Sequence, residues 1–318
     1  MECLIAFIAA FALGCIFVRS LKGGLYRFGL RGADINKPDK PMIPESGGML
    51  LLPGIWVIVL GMVYLGLINP IAYVFLFTLT CFAAIGFFDD GFGLFKKGEN
   101  WRAYLVKRGL VLLLVAMPFA YLNLGQAYLV PVSIGIVLIA SLANSFAGLN
   151  GWEVGSSLIV LAGLTIMASF SPYYTSTLVY LGLVMTGSVA AFLIFNKFPA
   201  KIFPGDSGTL LFGSFMACMV FFIEPRYFAL PLFIPHLVDI CLKFRSNPKD
   251  MSQKTEKPYV LREGKLDVPQ SGRLDFAKCL IRYYGPSEER MLVRRIWFFV
   301  AVNTAVWTGL FIISKTLF

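Results

Sequence analysis

The sequence predicts an all-α membrane protein with about ten transmembrane helices and both chain termini outside. Of its 318 residues, 58% are hydrophobic and only 14% are charged, and the mean hydropathy is +0.74. Soluble domains carry about 25% charged residues. The polar residues are also gathered into a few loops between long apolar runs. Together these observations indicate that lipid surrounds most of the chain.

Ten apolar segments are long enough to cross the bilayer. A spanning helix needs roughly 20 apolar residues and must satisfy its backbone groups internally. The segments are 2–20, 47–67, 70–88, 104–122, 127–146, 155–171, 174–195, 208–223, 227–243 and 294–314. The first has its basic residues, Arg19 and Lys22, behind it rather than in front, which predicts a retained span rather than a cleaved signal peptide. Residues 1–318 are predicted to form a single integral membrane domain.

Lysine and arginine indicate the orientation. The segments 19–46, 89–108, 196–206 and 243–295 hold six, five, two and thirteen of them, together 26 of the 28. Basic loops stay in the cytoplasm, so all long polar loops are predicted to be cytosolic. These loops are 21–46, 89–103, 147–154, 196–207 and 244–293. The confinement of the +10 net charge to these loops favours a membrane protein over a nucleic-acid-binding one.

A pair of adjacent carboxylates follows the third span. Asp89 and Asp90 are followed by Lys96 and Lys97. Neighbouring carboxylates repel each other and favour a shared cation, a proton or a basic partner. The pair is a candidate for catalysis, and a solvated helix end is the alternative.

Two further polar loops offer oxygen ligands and cations. Asn144 and Asn150 lie in a glycine-bearing loop, where amide oxygens could bind Mg²⁺ or simply form a turn with a helix cap. Gly205-Asp206-Ser207-Gly208 precedes an apolar run, and a helix start of this kind directs N–H groups toward an anion. Lys197 and Lys201 flank it, which a plain capped helix start does not explain.

Two other polar groupings fall on the same predicted side of the membrane. The first basic loop contains the segments 34–37 and 43–48. His236, Asp239 and Lys243 share one face of the ninth span, because steps of three and four return to the same side of a helix. A hydrogen-bonded structural cluster is the favoured interpretation of that face, and a proton or phosphate role is the alternative. All these motifs together provide the residue types that bind Mg²⁺ and a pyrophosphate.

At these residues the chain resembles the polyprenyl-phosphate N-acetylhexosamine-1-phosphate transferases. The Asp89-Asp90 pair, the Gly-Leu-Asn-Gly loop (148–151) and the segment 199–208 match that family in order and spacing. Asn150, where the bacterial branch has Asp, together with the segments 43–46 and 285–290, is more similar to the dolichyl-phosphate GlcNAc-1-phosphate transferases of eukaryotes and archaea. The resemblance covers residues 34 to 290.

The resemblance implies roles for individual residues. Asn150 and Asp206 would bind Mg²⁺, or Mn²⁺ as the alternative metal. Phe203 would stack on uracil, the backbone at Ile35 would contact the base and Glu45 would line the nucleotide pocket. The remaining residues implied in nucleotide-sugar binding are Asn144 and Lys201, and those implied at the reacting phosphates are Asp89, Asp90, Lys96 and Lys97.

The last predicted cytosolic loop departs from the family. Residues 243–292 contain neither the histidine cluster of the bacterial branch nor the Pro-Arg-His-Arg run of the eukaryotic one. The candidate replacements that could bind phosphate are Arg245, Lys254, Lys257 and Arg262. The long eukaryotic insertion is also absent, so an archaeal or other prokaryotic cell membrane is favoured over the ER membrane.

By this resemblance the chain is a transferase that makes GlcNAc-diphospho-polyprenol and UMP from UDP-GlcNAc and polyprenyl (dolichyl) phosphate. This is the first step of lipid-linked glycan synthesis, of the type used in N-glycosylation. The alternatives are another UDP-N-acetylhexosamine, for cell-wall or surface polysaccharide, and a transporter. The implied partners are the two substrates and membrane lipid, without nucleic acid. Assembly as a homodimer is left open.

Overall fold

A computed structural model of the chain describes residues 2–95, 101–246, 259–270 and 272–317, and consists almost entirely of helices. Eleven helices occur in these ranges: α1 Glu2–Arg27, α2 Leu52–Tyr64, α3 Ala72–Phe92, α4 Trp101–Leu124, α5 Leu129–Ser145, α6 Trp152–Ala168, α7 Thr175–Asn196, α8 Gly205–Phe222, α9 Ile234–Ser246, α10 Phe276–Tyr284 and α11 Glu289–Leu317. Short 3₁₀ turns precede α2, α5 and α9 and lengthen these helices. The predicted all-α polytopic architecture is confirmed.

Among the described residues, nine helical segments are long and apolar enough to cross a membrane. The apolar helix α6 is shorter, with 17 residues and a length of roughly 25 Å at 1.5 Å per residue, but it runs between the same two ends of the bundle and so makes a tenth crossing. It starts beside the end of α7, where a Cβ on Gly151 would lie 3.3 Å from Lys197 Cα. Just after its other end, Ser171 Oγ donates to Phe222 O at the end of α8 (2.7 Å). The ten predicted spans correspond to these ten helices.

One end of the bundle is called the site end below. Helices α1, α3, α5, α7 and α9 end there, and helices α2, α4, α6, α8 and α11 begin there. Loop contacts define it: Asn36 Nδ2 donates to Gly148 O (3.1 Å), and Phe203 N donates to Pro44 O (2.8 Å). The opposite end contains both chain termini, since Glu2 begins α1 and Leu317 ends α11. With ten crossings, the two termini must lie on the same side.

Two small antiparallel hairpins belong to the loops at the site end. Strands β1 (Arg31–Ala33) and β2 (Met42–Pro44) pair in the first loop, and β3 (Val260–Arg262) and β4 (Lys265–Asp267) pair in the last one. The segment before α8 is attached to the first hairpin, because Phe203 pairs with Pro44 and accepts from Gly47 N (2.9 Å). The hairpin therefore connects the first loop directly to the start of α8.

Helix α8 is the centre of the bundle, and nearly every residue from Ser207 to Val220 is buried. Glycines allow its start to come very close to two neighbours. A Cβ on Gly86 of α3 would lie 2.4 Å from the carbonyl carbon of Asp206, and one on Gly48 would lie 2.1 Å from Gly208 Cα. Small residues permit such close backbone approach between membrane helices. These contacts bring the end of α3, with its two aspartates, against the start of α8.

The helix ends differ from the sequence prediction where charged residues extend a helix beyond its apolar part. Helix α1 continues to Arg27 rather than residue 20, and α11 begins at Glu289 rather than residue 294. An apolar window cannot detect such turns, because they lie in water or the interface. Helix α10 was not predicted at all. It is amphipathic, and Asp275 caps it by accepting from Lys278 N (2.7 Å).

Candidate active site

Asp89 lies at the centre of a buried polar cluster formed by α3, α4 and α8. Its side chain accepts a hydrogen bond from the Tyr104 hydroxyl (2.8 Å), and its other carboxylate oxygen lies 3.4 Å from Phe95 N. Arg108 Nη1 is 3.8 Å from the carboxylate and also donates to the Tyr104 hydroxyl. Both Asp89 and Arg108 are buried. A buried carboxylate is costly unless paired, and here Arg108 supplies the compensating charge.

Asp206 joins the same cluster from the first turn of α8. Its Oδ2 lies 3.1 Å from Arg108 Nη1, so one guanidinium serves both Asp206 and Asp89. Asn144 completes the group. Its side-chain amide is assigned with the nitrogen facing Asp206 and the oxygen facing Arg108. It then donates to Asp206 Oδ1 (3.1 Å) and accepts from Arg108 Nη2 (3.1 Å). The end of α3, the interior of α4, the end of α5 and the start of α8 thus converge.

Asp90 has a different environment from its neighbour. Its Oδ2 accepts from Ser46 Oγ (2.7 Å) and from Ser207 N (3.3 Å). A Cβ on Gly205 would lie 2.4 Å from the same oxygen. Asp90 therefore supplies an anion at the start of α8, where the sequence suggested a substrate anion. Adjacent helix positions point about 100° apart. Among the described side chains, the hydrogen bonds given for the two carboxylates therefore go to different partners.

Asn150 belongs to a second buried cluster at the site end. Its backbone N–H donates to Glu289 Oε1 (2.9 Å), and its side-chain amide Nδ2 donates to Asp34 Oδ2 (2.9 Å). Lys37 forms ion pairs with both carboxylates, and Nζ is 3.2 Å from Asp34 Oδ2. Among the described residues no hydrogen bond joins Asn150 to Asp206, so the two predicted metal ligands lie in separate clusters.

The residues predicted to bind the nucleotide lie on the loops around these clusters. Phe203 is half-buried and held through its backbone by Pro44 and Gly47. Glu45 is half-buried behind the first hairpin, while the side chains of Ile35 and Lys201 are exposed. All four residues thus lie in the loops of the site end, two of them exposed and two half-buried.

The structure describes two of the four residues predicted as replacement phosphate-binding residues of the last loop. Arg245 is exposed in the last turn of α9, and Arg262 forms an exposed ion pair with Asp267 (3.3 Å) in the second hairpin. The other predicted lysines, Lys96, Lys97, Lys254 and Lys257, lie outside the described residues. Their roles stay predictions.

The face formed by His236, Asp239 and Lys243 has structural contacts. All three side chains are buried, and Lys243 Nζ lies 2.7 Å from Asp239 Oδ2. Asp239 also accepts from Phe276 N (2.8 Å), which anchors the start of α10. The His236 ring packs on Phe146 at 4.3 Å. Asp239 and Lys243 are thus held by an ion pair and a hydrogen bond within the bundle, and a structural role for the whole face stays the favoured interpretation.

Arg108 and Tyr104 are site residues that the sequence analysis did not select. Arg108 was only counted among the basic residues of a loop, although it lies within the predicted span 104–122. A charge inside a membrane span is itself a signal of function, because burying it is costly. Glu289 carried no role either, although its charge follows directly after the Gly-Pro-Ser-Glu run.

The donor set fits a divalent cation that is completed by substrate. No group of three His, Cys, Asp or Glu side chains in the described ranges converges to hold a metal alone. Mg²⁺, however, is usually bound through one or two carboxylates plus substrate phosphates, and it prefers oxygen ligands. Asp206 and Asn150 offer such oxygens. Each cluster therefore contains one candidate oxygen ligand for such a metal.

A bundle of ten membrane-crossing helices, with buried carboxylates, an arginine and asparagines at one end, defines a multi-pass membrane protein with a polar active-site region. The chain belongs to glycosyl transferase family 4. The family model matches residues 71–224, and a provisionally named glycosyltransferase of Methanocaldococcus jannaschii is 31% identical over 86% of this chain and 84% of that protein. The chain is thus a transferase of this family.

Two other relatives have more specific names. A protein of Saccharolobus solfataricus, provisionally named UDP-N-acetylglucosamine–dolichyl-phosphate N-acetylglucosaminephosphotransferase, is 34% identical over 70% of this chain and 71% of its own length. The phospho-N-acetylmuramoyl-pentapeptide-transferase of Leuconostoc citreum is 28% identical over 67% and 72%. The chain is thus similar to enzymes that transfer a phosphorylated amino sugar.

Proposed function

We propose that this protein transfers GlcNAc-1-phosphate from UDP-GlcNAc to a polyprenyl phosphate of the dolichyl type. The products are GlcNAc-diphospho-polyprenol and UMP. The observation that carries the proposal is the cluster of Asp89, Arg108, Asp206 and Asn144, in which separate motifs meet at one end of the bundle and Asp89 and Arg108 are buried. The likeness to the S. solfataricus protein supports GlcNAc as the sugar and dolichyl phosphate as the acceptor.

The reaction is a single displacement at phosphorus. An oxygen of the lipid phosphate attacks the β-phosphorus of UDP-GlcNAc, the bond from that phosphorus to the bridging oxygen breaks, and UMP leaves with that oxygen. The lipid phosphate is already an anionic nucleophile, so a covalent sugar-phosphate on the protein would add little. Phosphoryl transfer depends mainly on positioning and charge stabilisation, which fits a site containing a buried arginine.

Asp89 and Asp90 have separate roles in this proposal. Asp89 shares Arg108 with Asp206 and so lies beside the reacting phosphates, where it guides the lipid phosphate or accepts a proton from it. Asp90 holds the start of α8 through Ser46 and Ser207. It therefore fixes the position of Asp206 rather than touching substrate.

Mg²⁺, or Mn²⁺ in its place, would be held by Asp206 and Asn150 together with the pyrophosphate of UDP-GlcNAc. When bound, the metal neutralises charge that develops on the leaving UMP. Phe203, Glu45, Lys201 and the backbone at Ile35 surround this region and would hold the uridine.

The site end faces the cytosol in this proposal. The loops predicted to be cytosolic hold 26 of the 28 lysines and arginines, and their described residues lie at the site end. UDP-sugars are cytosolic substrates. The membrane is proposed to be a prokaryotic, archaeal-type cell membrane.

A substrate panel tests the proposal. Purified protein is incubated with Mg²⁺, polyprenyl phosphate and radiolabelled UDP-GlcNAc, UDP-GalNAc or UDP-MurNAc-pentapeptide, and lipid-extractable label is measured. We expect the most label from UDP-GlcNAc and none with Asp206→Ala. Lipid-linked label from another UDP-sugar alone would show that the transferred sugar is not GlcNAc. The absence of lipid-linked label from every donor would contradict the proposed transfer.

A further inference from the structure

The cluster around Asn150 contains two buried carboxylates that the proposed reaction does not use. Asp34 and Glu289 are 5% and 6% exposed and come from opposite ends of the sequence. Both bond to Asn150, Asp34 through the side-chain amide and Glu289 through the backbone N–H (both 2.9 Å). Lys37 forms ion pairs with both carboxylates and so fixes them relative to each other.

The chemistry of the amide determines which way the Asn150 side chain is turned. An asparagine side chain has an NH₂ group, which only donates, and an oxygen, which only accepts. Asp34 is a carboxylate bonded to Lys37, and an ionised carboxylate only accepts. It can therefore bind the NH₂ end of Asn150 and not the oxygen. The amide oxygen is left facing away from Asp34.

We infer that Asp34 is a positioning residue that presents the Asn150 amide oxygen to the metal. The inference rests on the proposed function, in which Asn150 is a metal ligand. Partners that orient a ligand in this way typically contribute 10- to 100-fold to metal affinity, as an order of magnitude. Glu289 and Lys37 support the same geometry, because Glu289 holds the Asn150 backbone and Lys37 holds Asp34.

Asp34→Asn tests the inference with almost no change in shape. The new amide at position 34 can donate its own NH₂ to the Asn150 oxygen, so the orientation is no longer enforced. We expect the Mn²⁺ affinity of the purified protein with UDP, measured from the free Mn²⁺ signal in electron paramagnetic resonance, to fall about 10- to 100-fold. The Mg²⁺ concentration needed for half-maximal turnover should rise equally, with the KM for polyprenyl phosphate unchanged.

A double variant and a control separate orientation from loosening of the loop. In Asp34→Asn with Asn150→Asp, the carboxylate introduced at position 150 accepts from the amide introduced at position 34, so the Mn²⁺ affinity should return toward that of the unaltered protein. Asn36→Ala is the matched control, since Asn36 Nδ2 bonds Gly148 O in the same loop without touching Asn150. It should lower the Tm while leaving Mn²⁺ affinity unchanged.

The outcomes decide the inference separately from the proposed function. Equal losses of Mn²⁺ affinity in Asp34→Asn and Asn36→Ala, or no rescue in the double variant, would overturn the positioning role while GlcNAc-1-phosphate transfer by the unaltered protein stands. A normal Mn²⁺ affinity in Asp34→Asn would do the same. If the unaltered protein binds no Mn²⁺ in the presence of UDP, the metal role fails, and the positioning role fails with it.

Discussion

At the scale of single residues, Asp89 and Asp90 are neighbours in the sequence but have different hydrogen-bond partners. Asp89 is directed at Tyr104 and Arg108, whereas Asp90 accepts from Ser46 and the α8 backbone. The sequence places the two carboxylates side by side, and only the packing of α3 against α8 distinguishes them. We therefore expect conservative substitutions at the two positions to lower kcat by different amounts.

The first prediction compares Asp89→Asn with Asp90→Asn. An asparagine at 90 retains an oxygen that accepts from Ser46 and Ser207, so kcat should fall modestly, by roughly tenfold or less. Asp90→Ala removes this acceptor altogether and should also lower stability by about 1 kcal/mol. An asparagine at 89 loses the charge paired with Arg108, and kcat should fall at least 100-fold, or about 2.7 kcal/mol in the barrier. Equal losses at both positions would contradict the division of roles.

The second prediction concerns the metal. Asp206→Ala and Asn150→Ala each remove a proposed oxygen ligand, so turnover should nearly disappear while the detergent-solubilised protein stays folded. Lys201→Ala is the control, because its exposed side chain is proposed to contact uridine rather than metal. It should raise the KM for UDP-GlcNAc and leave the Mg²⁺ requirement unaltered. Activity that persists in excess EDTA would rule out the metal.

Residue types at the site could be selected from the sequence, but their partners could not. Asp206 and Asn150 are recognisable by motif, yet the sequence does not show that they occupy two separate clusters. Arg108 was missed because it was counted as a loop charge, and its importance depends on burial between α3 and α8. Pairings across more than a hundred residues, such as Asn150 with Asp34, depend on the tertiary fold alone.

At the scale of helices, the approach of α3 to α8 holds the two motifs together. Gly86 has no room for a side chain, since an added Cβ would lie 2.4 Å from the Asp206 carbonyl carbon. The positions of the membrane spans follow from the length of the apolar runs. The close approach of two helices, by contrast, depends on which glycine faces which neighbour, and a sequence does not show this. Helix α10 was missed for another reason, because nine residues in a polar loop give no membrane signal.

The third prediction is that Gly86→Ala separates the two helices. The backbone must shift to admit the methyl group, at a cost of about 1–3 kcal/mol. Both the Tm and the activity should fall. Gly61→Ala in α2 is the matched control, because nothing lies within 4 Å of its added Cβ. It should leave both unchanged, and equal behaviour of the two variants would contradict the packing described for α3 and α8.

At the scale of the whole molecule, alternating helix directions place the described residues of the motifs at one end. Ten crossings follow from apolar length in the sequence, and the structure adds that α6 is a crossing despite its 17 residues. The charge distribution predicts which end is cytosolic. The fold of the chain is the same for either orientation in the membrane, so the orientation needs its own test.

The fourth prediction tests that orientation with two cysteines in a cysteine-free background. Gln126→Cys lies at the opposite end of the bundle, and Lys265→Cys lies in the last loop at the site end. In sealed cells an impermeant maleimide should label position 126, and position 265 only after permeabilisation. Labelling at 265 in intact cells would contradict a cytosolic site.

The central claim is that the group transferred is a sugar phosphate rather than a sugar alone. It is tested most directly with UDP-GlcNAc carrying tritium in the sugar and ³²P at the β-phosphate, incubated with the protein, Mg²⁺ and polyprenyl phosphate. The account predicts that the lipid product contains both labels in the ratio of the donor and that unlabelled UMP is released. A lipid with tritium but no ³²P, accompanied by ³²P-labelled UDP, would show simple glycosyl transfer and contradict it.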